Sequence, residues 1–166
     1  MGYYDEISPG YEALHREEQA SKLNVILTNL PFKLTRNLRL LDIGCGSGIS
    51  LEPWTCEKVG IDPSAQLVEL ARGKGFEVLQ GMADDLPFSD NEFDIVIAIT
   101  SLHHVDYPDD VAAEINRVCK RWLIVSYLKK ASVTHREQVL GALLKYFVKE
   151  KVVEHEQDVI YFLKKK

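Results

Sequence analysis

Hydrophobic and polar positions follow two rhythms along this chain. Up to Pro31, Tyr11, Leu14, Leu23, Ile26, Leu27 and Leu30 recur at broadly helical spacing, behind a Ser8-Pro9 pair suited to a cap and a first turn. That pattern predicts an opening helix. Short apolar runs at 38–43, 58–61, 76–80, 93–99 and 122–127 have the length of buried strands. Helical patterns separate several of them. Ser64 caps a segment carrying Leu67, Val68, Leu70 and Ala71, and 108–118 places Val111, Ala112, Ile115 and Val118 on one side. A third helix is predicted over 133–148, with Leu140, Leu143, Leu144 and Phe147 as its stripe. Two final strands, 151–155 and 159–163, meet at a tight connection. Strand–helix alternation closed by a hairpin predicts an α/β sheet with a parallel body and one antiparallel strand near the C-terminal end. Pro53 leaves the first crossover, between Gly48 and Val59, at most one helical turn.

Length and composition narrow the picture. At 166 residues the chain suits a single domain, 1–166, with an N-terminal helical segment over 1–35 and an α/β core over 36–166. Three cysteines, an odd number at no zinc spacing, argue against a disulfide framework or metal knuckle and for a reducing compartment. No apolar run approaches the ~20 residues of a membrane span, and the opening residues lack the features of a signal peptide. A cytoplasmic, soluble protein without a metal site is expected. Residues 1–128 carry 11 Lys/Arg against 20 Asp/Glu, whereas 129–166 carry 9 against 5. The acidic body speaks against a dedicated nucleic-acid binder. The basic C-terminal region is either the wet face of a helix and hairpin or a surface for RNA or an acidic protein partner.

The chemistry concentrates where strands end. Asp42-Ile43-Gly44-Cys45-Gly46-Ser47-Gly48 delivers a strand into a turn of bare backbone that ligand atoms can approach closely. A dinucleotide fingerprint needs glycine where Ile49 stands, together with a helix to face a pyrophosphate, so the loop suits a ligand without phosphates. Asp62 closes the next strand at about the spacing, ~20 residues, from which an acidic side chain reaches a ribose diol.

With these residues in view, the sequence resembles the class I S-adenosylmethionine-dependent methyltransferases. It is most similar to the small-molecule type that includes the ubiquinone/menaquinone-biosynthesis C-methyltransferases. The resemblance rests on LLDIGCGSG, VGIDPS, GMADDLPFSDNEFDIVIA and SLHHV, with Tyr4-Asp5 and Tyr11-Glu12 echoing elements ahead of the first strand. It implies a doubly wound, Rossmann-like sheet of seven strands, mostly parallel, with the last inserted antiparallel. It further implies methyl transfer from S-adenosylmethionine, leaving S-adenosylhomocysteine, to an acceptor that is first a small metabolite and otherwise RNA or a protein.

On that resemblance, Asp42 would organise the loop and the ligand's amino group, while Gly44, Cys45 and Gly46 line its methionine and ribose parts. Asp62 would hold the ribose hydroxyls, and Pro63 would pack on the adenine. Ala83 would offer its amide to the ring, Ile99 and Thr100 would lie beside the methionine part, and Tyr4 or Tyr11 would close over the carboxylate. The family commonly shows Gly-Asp-Ala where this chain has Gly81-Met82-Ala83. Either Asp84 or Asp85 replaces the missing carboxylate or Met82 packs on the ring. His103 and His104 are candidate general bases, or else turn residues that shape the cleft. The departure at Met82 and the short first crossover also support an alternative, a non-catalytic binding subunit completed by a partner.

Overall fold

The computed structural model describes residues 9–103 and 105–166, and side chains from residue 13 onward. The opening pattern forms α1 (Pro9–Thr28), and the apolar runs form β1 (Arg39–Ile43), β2 (Glu57–Asp62), β3 (Val78–Gln80), β4 (Phe93–Ile99) and β5 (Cys119–Leu128). Between them lie α2 (Ala65–Gly73) and α3 (Pro108–Val118); α4 (Val133–Leu143), β6 (Phe147–Glu154) and β7 (Asp158–Lys165) follow. The sheet order is β3-β2-β1-β4-β5-β7-β6. β1 to β5 run parallel, whereas β7 lies antiparallel between β5 and β6. This is the doubly wound, mostly parallel seven-stranded sheet with one inserted, reversed strand that the family resemblance implies.

Strands buried on both faces require continuous apolar runs, and β4 supplies one in Ile95, Val96, Ile97, Ala98 and Ile99. One face packs Val96, Ala98, Leu123 and Val125 against Val111, Ile115, Leu140 and Leu143 of α3 and α4. The other packs Ile95, Ile97, Ile124 and Ile160 with Ile26 of α1 and Val68 and Ala71 of α2. Each fully buried side chain of this size contributes about 1.5–3 kcal/mol, so both layers hold the sheet firmly.

Two crossovers carry little or no helix. After β1 the chain makes one 3-10 turn, Ile49–Leu51, which Pro53 prevents from extending. After β3 the segment 81–92 is instead tied to α3. The Arg117 guanidinium donates to the Leu86 and Phe88 carbonyls, and Glu114 accepts the Leu86 amide at 2.7 Å. The Arg117 hydrogen bond, aided by the Leu86 amide and opposed by burial, holds the Glu114 carboxyl below its usual range. The predicted strand over 76–80 is shorter, because Phe76 bonds back to the end of α2. The predicted helix over 133–148 stops at Leu143, and Phe147 opens β6 instead. Leu140, Leu143 and Phe147 share one helical spacing, yet Phe147 reaches the same core from a strand.

Candidate functional site

The order of strands reverses between β1 and β4, and ligands of open α/β sheets bind outside the carboxyl ends of strands at such a switch. A cleft of about 340 Å³ lies there. Its walls include Gly44, Pro63, Met82, Ala83, Asp84 and Leu102, so apolar surface dominates with a few polar groups on the rim.

The glycine turn is locked in place. Gly44 has φ +74°, and a Cβ there would collide with the Ser101 side chain. The Gly44 and Cys45 amides both donate to the Ile61 carbonyl, at 2.8 and 3.2 Å. The Cys45 side chain turns inward against Gly60, where an added Cβ would stand 2.6 Å from Sγ. Burial, with Asp42 and Asp62 nearby, pushes its thiol well above the usual range, so Cys45 contributes backbone and packing rather than a nucleophile.

Two carboxylates flank this turn. Asp62 accepts the Gly46 amide on Oδ2 and the Ser64 amide on Oδ1, both at 2.9 Å. An ionised carboxylate offers about four acceptor positions, so two remain for a ligand diol. Ser64 also caps α2 by accepting the Leu67 amide, which fixes the loop behind Asp62. Asp42 is fully buried, and its Oδ2 accepts the Ser50 hydroxyl from the 3-10 turn. Its Oδ1 has no hydrogen-bond partner. Burial raises the Asp42 carboxyl to about 7; the Ser50 bond opposes the rise and Asp62 adds to it.

The segment that follows β4 forms the remaining wall through Ser101, Leu102 and Val105. Ile99 belongs to the core, and Thr100 takes φ +55°. Ser101 donates its hydroxyl to the Ile43 carbonyl at 2.6 Å, which ties this end to β1. His103 Nε2 accepts the Leu128 amide at 3.1 Å, and its ring lies 5.8 Å from that of Tyr127. The side chain of Tyr11, and Tyr4, Ser8 and His104 entirely, lie outside the described residues. Of the residues expected at the site, Gly44, Pro63, Ala83 and Asp84 line the cleft, while Asp42, Cys45, Gly46, Asp62, Ile99 and Thr100 lie at the same sheet edge behind or beside it.

Sequence reasoning passed over Ser50, Ser101, Lys22, Ser126 and Asp158. For Lys22 a signal existed, since it stands one turn before Ile26 and so on the inward face of α1. Among the described residues no group of three or more His, Cys, Asp or Glu could hold a metal ion, and no helix is long and apolar enough to cross a membrane.

Comparison with known proteins agrees with this geometry. Residues 41–123 match the methyltransferase domain family, and the chain belongs to it. An uncharacterised protein of Methanocaldococcus jannaschii is 29% identical over 124 residues, covering 73% of this chain and 58% of that one. The tRNA (carboxymethyluridine(34)-5-O)-methyltransferase of Arabidopsis thaliana is 35% identical over 104 residues, covering 61% of this chain and 24% of that protein. The chain therefore spans less than two thirds of these relatives' lengths. In fold it is similar to a Pyrococcus horikoshii protein, with a TM-score of 0.82 at 20% identity and full coverage of both chains.

Proposed function

We propose that this protein is an S-adenosylmethionine-dependent methyltransferase acting on a small metabolite. One observation carries the reading. At the switch point a half-satisfied, fully buried carboxylate, Asp42, stands across the glycine turn from a second carboxylate with room for a diol. Asp42, buried behind the turn, favours a cationic group on the loop's ligand side through its charge, while the ligand itself brings two hydroxyls to Asp62 and its flat ring meets Pro63, Met82, Ala83 and Leu102. The amino group, ribose and adenine of S-adenosylmethionine fit that set. A dinucleotide does not, because the three-residue 3-10 turn presents no helix to a pyrophosphate.

When bound, S-adenosylmethionine supplies a methyl on a sulfonium, open to in-line displacement by an acceptor. The chain's own part is to align and to exclude water. Asp62 and the Gly44 to Gly46 backbone orient, and the apolar walls from Leu102, Val105 and Met82 keep the ring side dry. Asp84, on the rim, takes the adenine-side position that Met82 cannot fill. His103 spends Nε2 on the Leu128 amide and is assigned to shaping the wall rather than to moving a proton.

The basic C-terminal region supports a small acceptor over RNA. Lys129 and Lys145 pair with Glu154 and Asp109, Lys151 donates to the Asn29 carbonyl, and Lys165 and Lys166 bond main-chain carbonyls. Calorimetric titration with S-adenosylhomocysteine tests the cofactor. Micromolar binding is expected, and a stability shift with NAD but none with S-adenosylmethionine would overturn the reading.

A further inference from the structure

We infer that Lys22 and Asp158 are positioning residues for the end of β4, and through it for the cofactor cleft; this rests on the methyltransferase reading above. Lys22 lies on α1 and is only 3% exposed. Its ammonium donates to Asp158 Oδ2 at 2.8 Å and to Thr100 Oγ1 at 2.6 Å. Asp158, the first residue of β7, is 1% exposed. Burying such a pair is a poor way to stabilise a fold, because desolvation offsets the attraction and apolar residues of similar volume serve as well. A role in specifying geometry accounts for it better.

The geometry it specifies is that of Thr100. A β-branched residue at φ +55° is rare, and such strain persists only where the surroundings over-determine it. Here they do. The Thr100 amide reaches the Ser126 carbonyl at 3.2 Å and the Ser126 hydroxyl at 2.9 Å. The Thr100 hydroxyl accepts from Lys22 and lies 3.1 Å from Ser126 Oγ and 3.4 Å from Asp158 Oδ1. Four elements, α1, β4, β5 and β7, therefore converge on one backbone angle.

That angle decides where the next residues go. Ser101 follows directly, its hydroxyl on the Ile43 carbonyl and its side chain filling the space that Gly44 leaves open. Ser101 and Leu102 then line the cleft. Relaxing Thr100 toward ordinary φ swings this wall away from the glycine turn, so the ammonium held by Asp158 fixes the cleft without touching its ligand.

The test compares S-adenosylhomocysteine affinity by calorimetry with the melting temperature, for the unaltered chain, Lys22→Met/Asp158→Asn, Thr100→Val and Ser126→Ala. The paired neutral variant is expected to fold but to bind about tenfold more weakly, the size of change that releasing one strained residue brings. Thr100→Val, which puts a methyl where Lys22 grips a hydroxyl, and Ser126→Ala, which removes the hydroxyl that holds the Thr100 amide, are expected to weaken binding similarly. These two variants decide the matter if the paired variant does not fold. Unchanged affinity in a folded paired variant, or in both Thr100→Val and Ser126→Ala, would overturn the positioning role alone. No binding by the unaltered chain would instead overturn the methyltransferase reading and the inference with it.

Discussion

Two buried polar clusters sit on the same edge of the sheet, and they are built on opposite principles. Beside the glycine turn, Asp42 and Asp62 face each other's charge with neutral partners only, a hydroxyl and two amides, and Asp42 Oδ1 is left without one. At the end of β4, Asp158 has a lysine, and its neighbours Thr100 and Ser126 complete a closed set. The difference teaches what each is for. An open cluster holds free energy in reserve for a ligand, whereas a closed one spends its interactions on holding backbone still.

The contrast can be broken most forcefully at the closed cluster. Lys22→Met alone leaves Asp158 as an uncompensated buried charge and is expected to destabilise the chain by about 3–5 kcal/mol in urea denaturation. The open cluster responds through the ligand. On the proposed reading, Asp62→Ala is expected to weaken S-adenosylhomocysteine binding on the order of a hundredfold in calorimetry, because it would remove charge-assisted bonds to the diol and loosens Gly46.

A pH series sharpens the same contrast. With its folded carboxyl raised to about 7, Asp42 keeps its proton where the unfolded chain has already lost one. Its contribution is fully present below about pH 4 and is lost as pH rises through 7. Asp42→Asn should flatten that slope and raise stability above pH 8 by roughly 1–3 kcal/mol, read from denaturation midpoints. At the small end, Lys145→Ala breaks a fully exposed pair with Asp109 and should leave the melting temperature unmoved, because water already screens those charges.

Local rules made much of the fold legible. Pro108 at the start of α3, with Asp109 and Asp110 behind it and Arg117 in the last turn, marks that helix at both ends, and the structure keeps both bounds. Ser64 and Pro53 announced a cap and a truncated crossover in the same way. The end of α4 was hidden because Phe147 satisfies helical spacing while joining a strand. The glycine turn and both aspartates of the open cluster were legible because they fall within one strand–turn–strand unit, 42–62, whose spacing is itself a recognisable pattern. The closed cluster was not, since α1, β5, β7 and the position just after β4 each contribute one polar residue and none stands out in its own segment.

The reversed strand β7 gives the protein an assembly order. During synthesis α1 and the whole glycine turn leave the ribosome long before Asp158, so Lys22 lacks its counter-ion until β7 is made. A nascent chain lacking β7 must either keep α1 undocked, which exposes the apolar face that Ile26 covers in the finished fold, or bury an unpaired ammonium. Docking of α1 is therefore coupled to the arrival of β7 through one buried ion pair.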